Sequence, residues 1–456
     1  MKKFLIAKTT LLAVLLSSSV VLFFSCNSSQ TITFQKDIAP IIHKNCTPCH
    51  RPNGGGPFSL IGYWDVAKRG KMIAHVTKTK YMPPWPADPN YSSFTDEKIL
   101  TQQEIDLIQQ WYKSGKKAGD TSLIKSPEIL QYGSLLGKPD MVLNLEPVAI
   151  KNDNLDRFYV IKIPYQLGKD TFVRALEFVP GKPSLVHHMN GHYYKFSPST
   201  NPFIGNKILT TGTENFSTEF KGFNLQNSDG SLPLRVHSAV NYLPGTYGIK
   251  YPIGIGGFVL AKNGAFMAND IHYGPSKVNT IDSSKLYIYF DKKPPQRPTY
   301  ELMLGTNGVA PILPPLQIAP NIISKHVTQL EIYNDISVLT INPHMHLIGK
   351  KFKAYAIKPN GDTIKLINIP KWLFRWQYFY TFKNPVKIPK GSIIKVEAEF
   401  DNTIDNPNNP FTPPKLIAER LEFGGASMRT IDEMLQFIIT YMPYHKGDEL
   451  IDINQP

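Results

Sequence analysis

The chain of 456 residues is 42% hydrophobic and 19% charged, a composition that excludes a disordered chain and leaves room for two or three domains. Its net charge of +14 comes from lysines spread along the sequence with no basic-aromatic module, which reads as solvated surface that steers acidic partners and excludes a nucleic-acid site. Only three cysteines are present, Cys26, Cys46 and Cys49, so hydrophobic cores and not a disulfide framework must hold the fold.

Lys2, Lys3 and Lys8 precede an apolar run from Leu11 to Phe24 that ends at Ser25-Cys26. Charge followed by a short apolar run is a secretion signal and falls short of a membrane span. Cys26 resembles the lipid-acceptor cysteine of bacterial lipoproteins, although Phe23 and Phe24 depart from the small and aliphatic residues usual there. Residues 1–26 are therefore expected to be a signal peptide with Cys26 as the lipid anchor to a membrane. An uncleaved N-terminal anchor is the alternative, and either places the folded part outside the cytoplasmic membrane, as a periplasmic or outer-membrane lipoprotein.

Residues 45–50 read Asn-Cys-Thr-Pro-Cys-His, the C-x-x-C-H signal for covalent haem c. Two thiols, Cys46 and Cys49, add to the haem vinyl groups, and His50 is the axial iron ligand. A redox dithiol or half a zinc site are the competing readings, and the adjoining His50 argues against both. Met82, on the proline-rich stretch Tyr-Met-Pro-Pro-Trp, is the expected second axial ligand, since Met/His ligation raises a haem's reduction potential. Its place after the attachment site resembles that of the distal Met in small class I cytochromes c. Met72 competes, but its segment reads as helix with the Met in core packing. Asp37 to His43 reads as a short helix. Thr101 and Glu104 form a capping box, Leu100 and Ile105 a hydrophobic staple, and Ile105, Ile108, Trp111 and Tyr112 an apolar helical stripe ending near Gly115. Residues 32–119 are thus expected to form a small all-α cytochrome c domain, with a linker at 120–138.

From about 139 the pattern changes to short alternating runs rich in Val, Ile, Phe and Tyr, such as Phe158 to Tyr165, Phe172 to Pro180 and Ser337 to Asn342. These predict antiparallel β-sandwiches. The Pro-rich stretch Ala310 to Pro320 divides them into 139–315 and 316–456, giving a multidomain chain of one all-α domain and two antiparallel, jelly-roll-like β-sandwich domains. His344-Met345-His346 puts two imidazoles on one strand face with Met345 pointing away. His187 and His188 are neighbours and can reach one metal only at a bulge or strand end. Each pair by itself is equally well read as structural or surface histidine. His192, His237, His326 and His445 read as surface or hydrogen-bonded histidines, and His43 and His75 as weak competitors for the haem iron.

Four segments together resemble one family: Leu-Val-His-His-Met at 185–189, Ile-His-Tyr-Gly at 271–274, His-Met-His-Leu-Ile-Gly-Lys at 344–350 and Asp-Glu-Met at 432–434. The family is that of the copper type II, ascorbate-dependent monooxygenases, which includes peptidylglycine hydroxylating and dopamine β-monooxygenases. The resemblance implies two coppers, one held by His187, His188 and His272 and storing electrons, the other held by His344, His346 and Met434 and binding oxygen. Asn342 and Ile438 stand where the peptide-amidating members carry an Arg and a Tyr that hold the peptide, so amidation is not carried over. The turn-rich Asp401-Asn402 to Asn409-Pro410 loop resembles bacterial members and is assigned no chemistry.

The implied protein is an exported monooxygenase-like oxidoreductase in which the haem feeds electrons to a dicopper site that hydroxylates a C–H substrate with O₂. Its electrons would come from a donor protein or a small reductant such as ascorbate. A non-catalytic electron-transfer or copper-binding lipoprotein is the alternative, and a haem-bearing module with empty β domains is a third.

Overall fold

The computed structural model describes residues 31–124, 134, 136–211, 216–246, 248–252, 254–422, 425–426 and 429–453. Cys26, the signal and most of the 120–138 linker lie outside them.

Strands make up 38% of the chain and helices 12%. The expectation of a small all-α cytochrome c domain ahead of the β region is therefore corrected. The helices Ala39–Asn45, Tyr63–Ala67, Gly70–Lys78 and Gln102–Lys113 do gather round Phe34, Ile42, Ile105, Ile108 and Trp111. However, the stretch between the last two is an extended strap, and it belongs to another core. Its Ala87 and Phe94 are buried among the β residues of the C-terminal half, and Phe94 bridges to Phe382. The reason is composition: four prolines between Met82 and Pro89 forbid helix, and the aromatic residues among them need apolar cover. The capping box is present, with Thr101 Oγ1 accepting from Glu104 N at 3.2 Å and Glu104 Oε2 from Thr101 N at 2.7 Å. Met72, expected in core packing, is 43% exposed instead.

Every strand ladder among the described residues is antiparallel. In the first β unit, one sheet runs in the order Ile208–Thr210, Arg157–Gln166, Asn263–Tyr273, Val186–Lys195, Leu234–Tyr242. A second sheet, Met141–Asn144, Lys285–Asp291, Thr171–Val179 and Ile249–Lys250, shares one core with it through Ile163, Phe178, Phe266 and Ile288. In the second unit, Tyr300–Gly305, Leu435–Pro443, Ile336–Met345 and Tyr380–Ile388 form one sheet. The other runs Ile312–Leu313, Ile323–Glu331, Ile393–Asp401, Gly349–Ile357, Thr363–Ile369, and the two meet over Val338, Phe352, Val396 and Phe437. The changeover between units falls earlier than 315, because Tyr300–Gly305 pairs with Leu435–Pro443. Pairing decides the boundary here, and the prolines after 310 only punctuate strands inside the second unit.

Candidate metal and haem-attachment sites

The central strand Asn263–Tyr273 sets the first histidine cluster. His272 pairs with His188, but the next residue, Tyr273, pairs with Val186, so His187 is the extra residue of a β-bulge. A bulge turns consecutive side chains toward one side, and both imidazoles consequently flank His272, with ring centroids 4.6 Å (His187) and 5.1 Å (His188) away. Gly274 leaves space for this, since a Cβ there would sit 2.7 Å from His187 Nε2.

Two carboxylates that the sequence did not flag organise the cluster. Asp270 Oδ2 accepts from His188 Nε2 at 2.8 Å, and Asp156 Oδ1 from His272 Nε2 at 2.7 Å. Each fixes a tautomer and leaves the other ring nitrogen available, as carboxylates behind metal-binding histidines do. His187 Nδ1 is buried with no hydrogen-bond partner. Among the described residues, Asp156, His187 and His272 have ligand atoms that all lie within 4.8 Å of one another; His188 is turned instead toward Asp270. Burial, then the charge of His272, pushes His187 down to about 4, and burial likewise lowers His272. Burial alone would raise Asp270, but the charge of and hydrogen bond from His188 bring it below the usual carboxylate range.

The second cluster sits at the end of the strand Ile336–Met345. His344 and His346 are both buried, with ring centroids 5.1 Å apart, while Met345 packs into the core. The ladder ends with His344 opposite Gln436 and Met345 opposite Leu435, and the buried Met434 is the residue just before Leu435. The buried Glu433 ties the two chains together by accepting from His346 N, and from Met434 N at 3.0 Å and Ile348 N at 3.3 Å. His346 Nδ1 donates to Asp432 O at 3.0 Å, and His344 Nε2 is buried without a partner. Burial, then His346, pushes His344 down to about 3, and burial pushes Glu433 up to about 8 against its three N–H donors.

The clusters face each other closely enough for His188 and Asp270 to act electrostatically on both His344 and His346. The loop after Trp372 bridges them, its Phe374 ring 6.1 Å from His346 and its Arg375 acting on His187 and Asp156.

Around the haem motif, Cys49 N and His50 N both donate to Cys46 O, at 3.2 and 2.8 Å, a tight turn that sets the two thiols and the imidazole side by side. The thiols are not bonded to each other. Burial pushes Cys46 up to about 12 and also raises Cys49, against the charge of Lys98 and Arg51. His50 Nδ1 donates to Phe58 O at 3.2 Å, which frees Nε2, and a Cβ on Gly56 would fall 2.7 Å from that Nδ1. Met82 is half-buried on the strap, whereas Met72 lies exposed on a helix. Of the competing histidines, His43 donates to Ile61 O at 2.9 Å and His75 is exposed. His326 is buried and hydrogen-bonded to Ser324 and Pro314, and His445 is exposed. Asn402, fully buried, donates to three backbone carbonyls and so acts as a loop clamp.

No family model and no curated protein matches the chain. Among solved structures, the major capsid protein P2 from bacteriophage PM2 is similar at 10% identity over 68% of this chain and 99% of that one, with a TM-score of 0.22. The infectious bursal disease virus VP2 subviral particle is similar at 8% identity over 68% and 72%, with a TM-score of 0.17.

Proposed function

We propose that this chain is an exported haem c- and copper-containing oxidoreductase of the monooxygenase kind, acting on a C–H substrate and O₂. What carries the reading is the meeting of two imidazole sets from separate β units, with His187 Nδ1 and His344 Nε2 left buried and unpaired. An unpaired buried nitrogen costs about 1–3 kcal/mol, a cost that a bound metal removes. Lowered proton affinities keep His187, His272, His344 and His346 neutral near pH 7, the form that ligates metal.

His187, His188 and His272 would hold one copper, and His344, His346 and Met434 the other. A thioether beside two imidazoles favours Cu(I). When bound, copper supplies one-electron storage and O₂ activation, and haem c supplies single electrons. The chain's own part is placement. Asp270 and Asp156 orient His188 and His272, and Glu433 holds the Met434 segment against His346. Asn342 and Ile438 face each other across the ladder, and the Asn342 amide is engaged with Tyr378 O at 3.1 Å. Neither supplies the guanidinium or phenol that holds the peptide in the amidating members, so amidation is not carried over.

Metal analysis of the purified chain should give two coppers, with His187→Ala or His272→Ala losing one. Its c-type spectrum should survive acid-acetone extraction. Zinc, or loss of both metals with either change, contradicts the two-copper reading. Reductant-driven O₂ uptake separates the enzyme from a non-catalytic electron-transfer or copper-binding lipoprotein. The closeness of Asp156 to His187 and His272 favours one other reading, a two-His, one-carboxylate site for a divalent ion. Asp156→Asn would then abolish binding, whereas an orienting Asp156 weakens it about 10–100-fold.

A further inference from the structure

We infer that Lys98 is a positioning residue for the haem-attachment turn, an ammonium that pins Cys49 to both β units and raises the reduction potential of the iron carried there. The inference rests on the haem reading above. Lys98 Nζ donates to Gly245 O at 3.0 Å and lies 4.9 Å above the Tyr378 ring. Gly245 belongs to the turn after the first-unit strand Leu234–Tyr242, and Tyr378 to the second unit. The same turn touches the haem motif. Gly245 has φ +75°, and a Cβ on it would lie 2.3 Å from Cys49 Sγ; one on Gly55 would lie 2.7 Å from Pro244 Cβ. A single side chain on the strap therefore lies where the cysteine turn meets both β units.

Its charge is held without a direct ion pair: the carboxylate that acts on Lys98 is Asp96, from beyond ion-pair distance. The groups in contact with it are a carbonyl oxygen and an aromatic face, with the sulfur of Cys49 beside it; burial lowers Lys98, and Cys49 and Asp96 act against that. Adding one electron converts Fe(III) to Fe(II) and lowers the charge at the iron by one, so a fixed positive charge beside it favours the reduced form. A purely structural strut would tether the turn without that bias.

The test uses the full chain with haem attached and an anaerobic spectroelectrochemical titration. Lys98→Gln keeps an N–H donor for Gly245 O but removes the charge, Lys98→Arg keeps the charge, and Lys98→Met removes both. The midpoint potential should fall in Lys98→Gln and Lys98→Met and stay at the unsubstituted value in Lys98→Arg. A Lys98→Gln protein with an intact c-type spectrum and an unchanged potential overturns the inference, and it decides the matter should Lys98→Met fail to fold. If the unsubstituted chain carries no covalent haem, the haem reading itself has failed, which is a different result.

Discussion

Glu433 does more for the second histidine cluster than any residue the sequence singled out, because one carboxyl group satisfies the buried N–H groups of His346, Ile348 and Met434. Glu433→Ala leaves all three unpaired at roughly 1–3 kcal/mol each. Urea unfolding should show a loss of about 3 kcal/mol or more, and a smaller loss for Glu433→Gln, which keeps one acceptor oxygen. Asp448 is the corresponding residue for pH. Burial alone would raise it, but Arg297 at 2.5 and 2.8 Å, His445 N at 2.9 Å and Ser337 Oγ at 2.6 Å bring it down to about 2. A depressed carboxyl stabilises the fold above its unfolded value of about 3.9 and loses that contribution as pH falls through its folded value. Thermal unfolding from pH 5 to pH 2 should therefore cost the natural chain about 2 kcal/mol that Asp448→Asn, already weaker at pH 5, does not lose. At this scale the sequence was partly legible. The two-residue spacing of His344 and His346 required a common face, and the structure brings their rings to 5.1 Å. Nothing marked Asp156 or Asp270, and Glu433 stood inside the Asp-Glu-Met segment with no role of its own, since a carboxylate is ordinary until its partner, 82 to 116 residues away for the two aspartates, is known.

At the scale of elements, the first cluster depends on one irregular ladder. Adjacent histidines demanded a bulge if both were to face one metal, and the register shift beside His272 provides it. What local pattern could not indicate is that His188 would turn to Asp270, because that follows from the second bulge between Ala268 and Asp270 on the facing strand. Gly274 is the sensitive point of the arrangement. A Cβ there lies 2.7 Å from His187 Nε2, so Gly274→Val should displace that imidazole at an overpacking cost of about 1–3 kcal/mol. The expected result is loss of one metal per chain with far-ultraviolet circular dichroism unchanged. Retention of both metals would show that His187 is not a ligand. Met434 belongs to the same scale. Its segment is brought to the second cluster by the ladder that ends with Leu435 opposite Met345 and by the Glu433 carboxyl, yet the pairing of strands some ninety residues apart cannot be read from either strand alone.

For the whole molecule, the strap between the helices decides the architecture, and it is where the sequence reading was furthest from the structure. Caps, staple and stripe are local signals and gave the Gln102–Lys113 helix its start and buried face. They say nothing of where a proline-rich segment goes, and this one runs along Tyr380–Ile388, an edge strand of the second unit. Phe94 bridges to Phe382, Thr95 N donates to Thr381 O at 2.7 Å, and Tyr378 OH donates to Pro84 O at 3.0 Å. Covering an exposed edge in this way removes a template for aggregation. It also ties the segment between the helices to the second β unit. Phe94 is the anchor, 1% exposed and packed among the tilted rings of Trp85, Tyr380 and Phe382 at 5.0–6.4 Å. Phe94→Ala should cost about 3–5 kcal/mol, and its effect should be local before it is global. Hydrogen exchange should quicken at Thr95 and along Tyr380–Ile388, while the amides around Ile105, Ile108 and Trp111 keep their protection. Equal loss of protection in both places would mean that helices and second β unit unfold as one cooperative body, and unchanged exchange along Tyr380–Ile388 would mean that the strap adheres without Phe94.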